Sequence, residues 1–161
     1  MAGDYARVTG LADLVARAAE LSVAAMIIDV EPLVAPWDSG QDALDQGVKS
    51  VLARARAIPG VVVVCFSTNS ARRPSSPLAG DGARAEYLAL AGKPLRTGPY
   101  RDFPRPGVVI GDQLATDGAL ARRLGYAFLQ YYPDQSSLPA GPRLMDWTGQ
   151  LLRPLLFARR H

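Results

Sequence analysis

The chain has little of what much enzyme chemistry depends on. Its 161 residues include one cysteine, Cys65, and one histidine, His161. An intrachain disulfide is therefore excluded, and so is a zinc centre assembled from several Cys and His ligands. A Ser-His-Asp or Cys-His site would have to recruit the last residue of the sequence. Cys65 lies inside the run VVVVCF, where a small buried hydrophobe is the expected role. The phosphate-cradling patterns GxxxxGK[ST] and GxGxxG are both missing. No run of basic and aromatic residues forms a platform for nucleic acid, so nucleic-acid binding is not expected. No apolar run approaches the roughly 20 residues of a membrane-spanning helix. The opening MAGDYARVTG lacks the basic-then-apolar order of a secretory leader. A cytoplasmic protein is the expectation. Lysine is scarce too: Lys49 and Lys93 are the only two, and arginine supplies the rest of a formal net charge of +3. That arginine excess reads either as compositional bias or as a basic face for phosphate groups or anionic lipid.

What is present is an ordinary globular composition, 48% hydrophobic and 20% charged, sized for one domain with one sizeable core. GLADLVARAAELS has apolar residues at Leu11, Leu14, Val15, Ala18 and Leu21, the stripe of an amphipathic helix. VAAMII, 23–28, is short and wholly apolar, as for a strand buried on both faces. Leu44, Val48, Val51, Leu52, Ala55 and Ile58 mark a second helix that Pro59-Gly60 stops. Further strands are predicted at 61–66, 86–90, 108–111 and 126–132, with a short helix around DGALARRLG. The proline-rich span 95–107 leaves room for no more than one helical turn, and its Tyr100, Arg101 and Arg105 either line the site entrance or, as the favoured reading, are loop surface. The tail around 144–158 is predicted to be an amphipathic helix interrupted at Pro154. Alternating strands and helices predict an α/β fold with a mainly parallel, five-stranded sheet and helices on both faces.

In such sheets ligands bind beyond the carboxyl ends of the strands. The residues there are, in order, Asp29 and Glu31, then Ser67, Thr68 and Asn69, then Lys93, then Asp112 and Asp117. Carboxylates of this kind hold a hard divalent cation such as Mg²⁺. Hydroxyls and a lysine hold phosphoryl oxygens, and one carboxylate can attack phosphorus to form an aspartyl-phosphate.

The ordered set resembles the haloacid dehalogenase (HAD) superfamily, whose four motifs occur in this order on a Rossmann-like sheet. It is closest to the small YqeG-type branch without a large cap domain, which includes phosphatidylglycerophosphate phosphatases. That branch reads DxDNTLVxW where this chain has DVEPLVAPW, SNN where it has STN (67–69), and A-x-KP where it has AGKP (91–94). VVIGDQLATD, 108–117, agrees with the fourth motif, VVIGDQLxTD, at every fixed position. The resemblance covers about 8–133 of a single HAD-like domain spanning 1–161. It implies a Mg²⁺-dependent phosphomonoester hydrolase with Asp29 as nucleophile and metal ligand, and Glu31 as acid–base with its backbone carbonyl toward the metal. Lys93 would steady nucleophile and phosphate. Ser67 would bind phosphate, and Asp112 and Asp117 would serve the metal; Thr68 and Asn69 are further candidates for the phosphate, with Asn69 equally readable as a turn-former.

The first motif departs from the family at three positions. Glu31 stands where the family has Asp, Pro32 restrains Glu31 and removes a backbone donor, and Leu33 replaces a threonine. An added methylene displaces the acid by about 1 Å, a shift that can cost around a hundredfold in rate. A weakened HAD-like module that binds a phosphorylated ligand, lipid or protein partner is therefore the alternative reading. The expected partner is a phosphorylated small molecule or a phospholipid headgroup. Trp147, Leu151, Leu152, Leu155, Leu156 and Phe157 among Arg153, Arg159 and Arg160 suggest either peripheral membrane contact or a helix docked on the domain core. Oligomeric state is left open.

Overall fold

The computed structural model describes residues 4–132 and Phe157. These residues form one sheet of six parallel strands: β1 (Tyr5–Val8), β2 (Ala25–Asp29), β3 (Val63–Ser67), β4 (Arg84–Leu88), β5 (Gly107–Gly111) and β6 (Ala127–Tyr131). Their order is β1-β6-β5-β2-β3-β4. The helices are α1 (Leu11–Glu20), α2 (Gln41–Arg56) and α3 (Ala119–Leu124).

Period-two alternation in fully buried strands sends residues to two cores. Met26, Ile28, Val64, Phe66, Val108 and Ile110 pack with Leu14 and Ala18 of α1 and with Leu44, Val48 and Leu52 of α2. Ala25, Ile27, Cys65 and Val109 pack on the other face with Leu120, Ala121 and Leu124 of α3, and with Tyr100 and Phe103. Helices thus cover both faces, as the alternation of elements predicts. Each fully buried Leu, Ile or Phe contributes about 1.5–3 kcal/mol of transfer free energy. α3 ends at Gly125, whose φ of 68° supplies the left-handed residue that commonly terminates a helix.

The sheet corrects the five-strand expectation. β1 was not predicted: four residues at an edge, with Arg7 exposed, carry too short a pattern to detect. It pairs with β6 from Tyr5↔Phe128 to Val8↔Tyr131. The strand expected at 86–90 runs instead from Arg84 to Leu88, because Leu90 has φ 51° and turns back so that its N–H donates to the Ser70 carbonyl. As an edge strand β4 starts on exposed Arg84, which an apolar run cannot locate. The span 95–107 holds a single 3₁₀ turn, Gly98–Tyr100. Tyr100 in that turn is 1% exposed, so its reading as loop surface is wrong.

The chain runs outward from β2 to β3 and β4, then returns to β5 on the other side of β2. The carboxyl ends of β2 and β5 therefore flank the point where the winding reverses, the usual place for a ligand crevice in an open α/β sheet. The tail predicted around 144–158 lies outside the described residues except for Phe157. That ring stacks on Phe128 at 5.8 Å and lies 5.4 Å from the Tyr5 ring. Among the described residues, no helix is long and apolar enough to cross a membrane.

Candidate functional site

Asp29 is the last residue of β2, Ser67 the last of β3, and Asp112 follows the last residue of β5. Parallel pairing sets Asp29 beside Ser67 in register, so three neighbouring strands deliver side chains to one edge. Asp117 arrives differently. Leu114–Gly118 form a π-type turn in which the N–H groups of Asp117 and Gly118 both donate to the Gln113 carbonyl. Such wide turns recur at functional sites. This one folds Asp117 back under Gly111, whose missing side chain leaves the room its carboxylate occupies.

The side chains of Asp29, Asp112 and Asp117 each offer an oxygen within 4.8 Å of the others, and all three residues are buried. Lys93 reaches into this group. Its Nζ lies 2.7 Å from Asp29 Oδ1 and 2.7 Å from Asp117 Oδ1, and it also donates to the Ser67 carbonyl at 3.2 Å. Asp29 Oδ1 accepts a second bond from the Val30 N–H at 2.9 Å, which fixes the carboxylate plane. Burial and the charge of Asp117 push the Asp29 carboxyl well above its ordinary value, with Lys93 opposing them. Burial works against the Lys93 ammonium as well, but Asp117 and Asp29 outweigh it and hold the ammonium above its usual value. Three buried carboxylates gathered around one ammonium offer oxygen donors of the kind suited to a hard divalent cation.

The other expected residues are close by but differently engaged. Glu31 is 2% exposed, yet its carboxylate is outside the three-aspartate group. Oε2 accepts from Thr68 Oγ1 at 2.7 Å, while Oε1 faces Ser70 Oγ at 3.3 Å and Arg72 Nη1 at 3.5 Å. Thr68 thus serves Glu31 with its hydroxyl. Asn69 clamps the backbone of Lys93: its Oδ1 accepts from the Lys93 N–H at 2.9 Å and its Nδ2 donates to the Lys93 carbonyl at 3.2 Å. The Ser67 hydroxyl, fully buried, lies 2.6 Å from the Tyr100 phenol. The Glu31–Pro32 and Lys93–Pro94 peptide bonds are both cis.

Two contributors, Ser70 and Arg72, escape the sequence reading, and a third, Tyr100, is favoured there as loop surface over an entrance residue. Arg72 ties the loop after β3 to the loop after β2, donating to the carbonyls of Pro36 at 3.0 Å and Ser39 at 2.9 Å as well as to Glu31. Burial raises the Tyr100 phenol to about 12, although the bond to Ser67 pulls the other way. Nothing in the loop SARRPSSP distinguishes Arg72 from Arg73 by spacing, and Tyr100 lies in a segment without periodicity.

No protein-family model, curated protein or solved structure matches this sequence.

Proposed function

We propose that the protein is a phosphomonoester hydrolase of the HAD type, acting through an aspartyl-phosphate on Asp29 with a divalent cation, best Mg²⁺, held by Asp29, Asp112 and Asp117. The observation that carries this reading is the placement of Lys93 Nζ between Asp29 and Asp117, 2.7 Å from each, inside a three-carboxylate group. Because Lys93 and Val30 hold Oδ1, Asp29 keeps Oδ2 for attack on phosphorus. The bond from phosphorus to the leaving oxygen breaks as the bond to Oδ2 forms, and water then displaces phosphate from Asp29. A bound cation would favour the ionised carboxylates and offset charge on the phosphoryl oxygens. Lys93 supplies fixed positive charge at the same place, at no reorganisation cost. The loops 30–40 and 68–83 are too short for a large cap domain, which supports an open crevice and a substrate such as a phosphorylated small molecule or a phospholipid headgroup.

The test is hydrolysis of an aryl phosphate and of phosphatidylglycerophosphate, with Mg²⁺ and with EDTA. Turnover should need Mg²⁺ and vanish in Asp29→Asn. Turnover that survives Asp29→Asn would remove Asp29 as nucleophile.

One observation favours a second reading, a module that binds a phosphorylated ligand with weak or no turnover. The Glu31 carboxylate, which would protonate the leaving oxygen, is already held by Thr68, Ser70 and Arg72. Mg²⁺ and phosphate binding without turnover would select that reading.

A further inference from the structure

On the face of the sheet covered by α3 lies a polar cavity of about 190 Å³, floored by Phe103 and Leu124 and lined by Tyr100, Tyr126 and three arginines, Arg101, Arg105 and Arg123. No carboxylate lines it. All three arginines are exposed, and Arg cannot lose its charge, so three like charges gather at this pocket. Their own contacts use few of their donors. Arg105 lies over the Tyr126 ring at 5.4 Å and gives one bond to the Gly125 carbonyl. Arg123 gives one bond to the Pro94 carbonyl at 3.0 Å. The Arg101 backbone N–H donates to the Gly98 carbonyl, but among the described residues its guanidinium makes no hydrogen bond and no ion pair. Each guanidinium carries five N–H donors in a planar fork, so most remain directed to solvent or to a ligand.

We propose that this cavity is a binding site for a small phosphorylated anion, whose phosphoryl oxygens are gripped by Arg101, Arg105 and Arg123. The planar fork of Arg matches phosphate oxygens bidentately, and the dianion offsets the like charges. The volume suits a phosphoryl group on a short stem rather than a larger ligand. Two contacts link the cavity to residues beside the carboxylate group. Tyr100 walls it while its phenol touches Ser67, and Arg123 is anchored on the carbonyl of the residue after Lys93. The site does not depend on reading the carboxylate group as a phosphatase centre.

Isothermal titration with inorganic phosphate in EDTA, at constant ionic strength, isolates this cavity, because the metal-free carboxylate group repels the anion. One saturable site is expected, with shifts of the Nε–Hε NMR signals of Arg101, Arg105 and Arg123. Arg101→Gln, whose side chain supports nothing else, should weaken binding roughly tenfold or more. Arg54→Gln on α2 should bind as the wild type does. Flotation with phosphatidylcholine vesicles, with and without phosphatidic acid, separates a free anion from a lipid headgroup. Arg101-dependent flotation assigns the headgroup, and Arg101-dependent phosphate binding without flotation assigns the free anion. Absence of saturable phosphate binding beyond that of chloride, or affinity unchanged in Arg101→Gln, overturns the proposal. Phosphate binding in EDTA together with no Mg²⁺-dependent turnover would leave this site standing while the phosphatase reading falls.

Discussion

The carboxylate of Asp117 occupies the space into which a β-carbon on Gly111 would project. β5 can therefore lead into the site only through a residue without a side chain. Gly111→Ala is expected to displace Asp117, lowering stability by about 1–3 kcal/mol through overpacking. It should also abolish any Mg²⁺-dependent rise in melting temperature. Thermal melts with and without Mg²⁺ check both parts, and an Ala variant that keeps the Mg²⁺ response would show that Asp117 is dispensable to the cation.

Lys93 is the counter-charge for two buried carboxylates. Lys93→Met leaves Asp29 and Asp117 as buried neighbours with no cation between them. The expected loss is about 3 kcal/mol, or a fall of about 10 °C in melting temperature for a domain of this size. Urea titration of the variant measures it directly. Asp29→Asn acts in the opposite sense: it removes one like charge and leaves Lys93 paired with Asp117, so stability should be retained or raised while turnover is lost.

Cation binding should appear as linkage. Mg²⁺ at a hundredfold excess over its Kd stabilises the fold by about 2.7 kcal/mol. Asp112→Asn removes one of three oxygen donors and should erase that gain. Melting curves in EDTA, where the two proteins should agree within about 1 kcal/mol, separate metal loss from misfolding.

Glu31→Asp shortens the side chain that Thr68, Ser70 and Arg72 now hold. Loss of at least one hydrogen bond costs about 1 kcal/mol. Freed from those donors and withdrawn by a methylene, the acid should approach the leaving oxygen, and turnover should rise on the order of tenfold. A fall in kcat for the Asp variant would mark Glu31 as the acid already in place.

Cys65 is fully buried, and burial raises its thiol far above the ordinary value of 9.0. It should resist DTNB until the protein unfolds. Above pH 9 the unfolded chain gives up this proton and the folded one does not, so stability should decline as pH rises. Cys65→Ala should flatten that decline in denaturant titrations across the alkaline range.

The sequence was most legible where one physical demand dominates. β2, β3 and β5 are buried on both faces, so their apolar runs marked them, and the polar residues ending those runs marked Asp29, Ser67 and Asp112. Lys93 stood out because lysine is scarce. The edges were harder. β1 and β4 are half exposed, so neither periodicity nor hydrophobicity reveals their limits. Tyr100 and Arg72 act through loops whose paths are set by tertiary contacts, by Ser67 for one and by Pro36 and Ser39 for the other. The same is true of the Thr68–Glu31 bond: spacing brings the two residues near one another but does not say which oxygen the hydroxyl will choose.

Every described strand pairing is parallel, and the edge pair joins Tyr5 to Phe128. No pair can close through a hairpin, so contacts of long sequence separation must form before they are rewarded. During synthesis the segment that becomes β1 emerges early and waits until β6 has left the ribosome. Lys93 pairs with Asp29, before it in the chain, and with Asp117, after it, so its two ion pairs likewise draw together strands from both sides of the winding reversal.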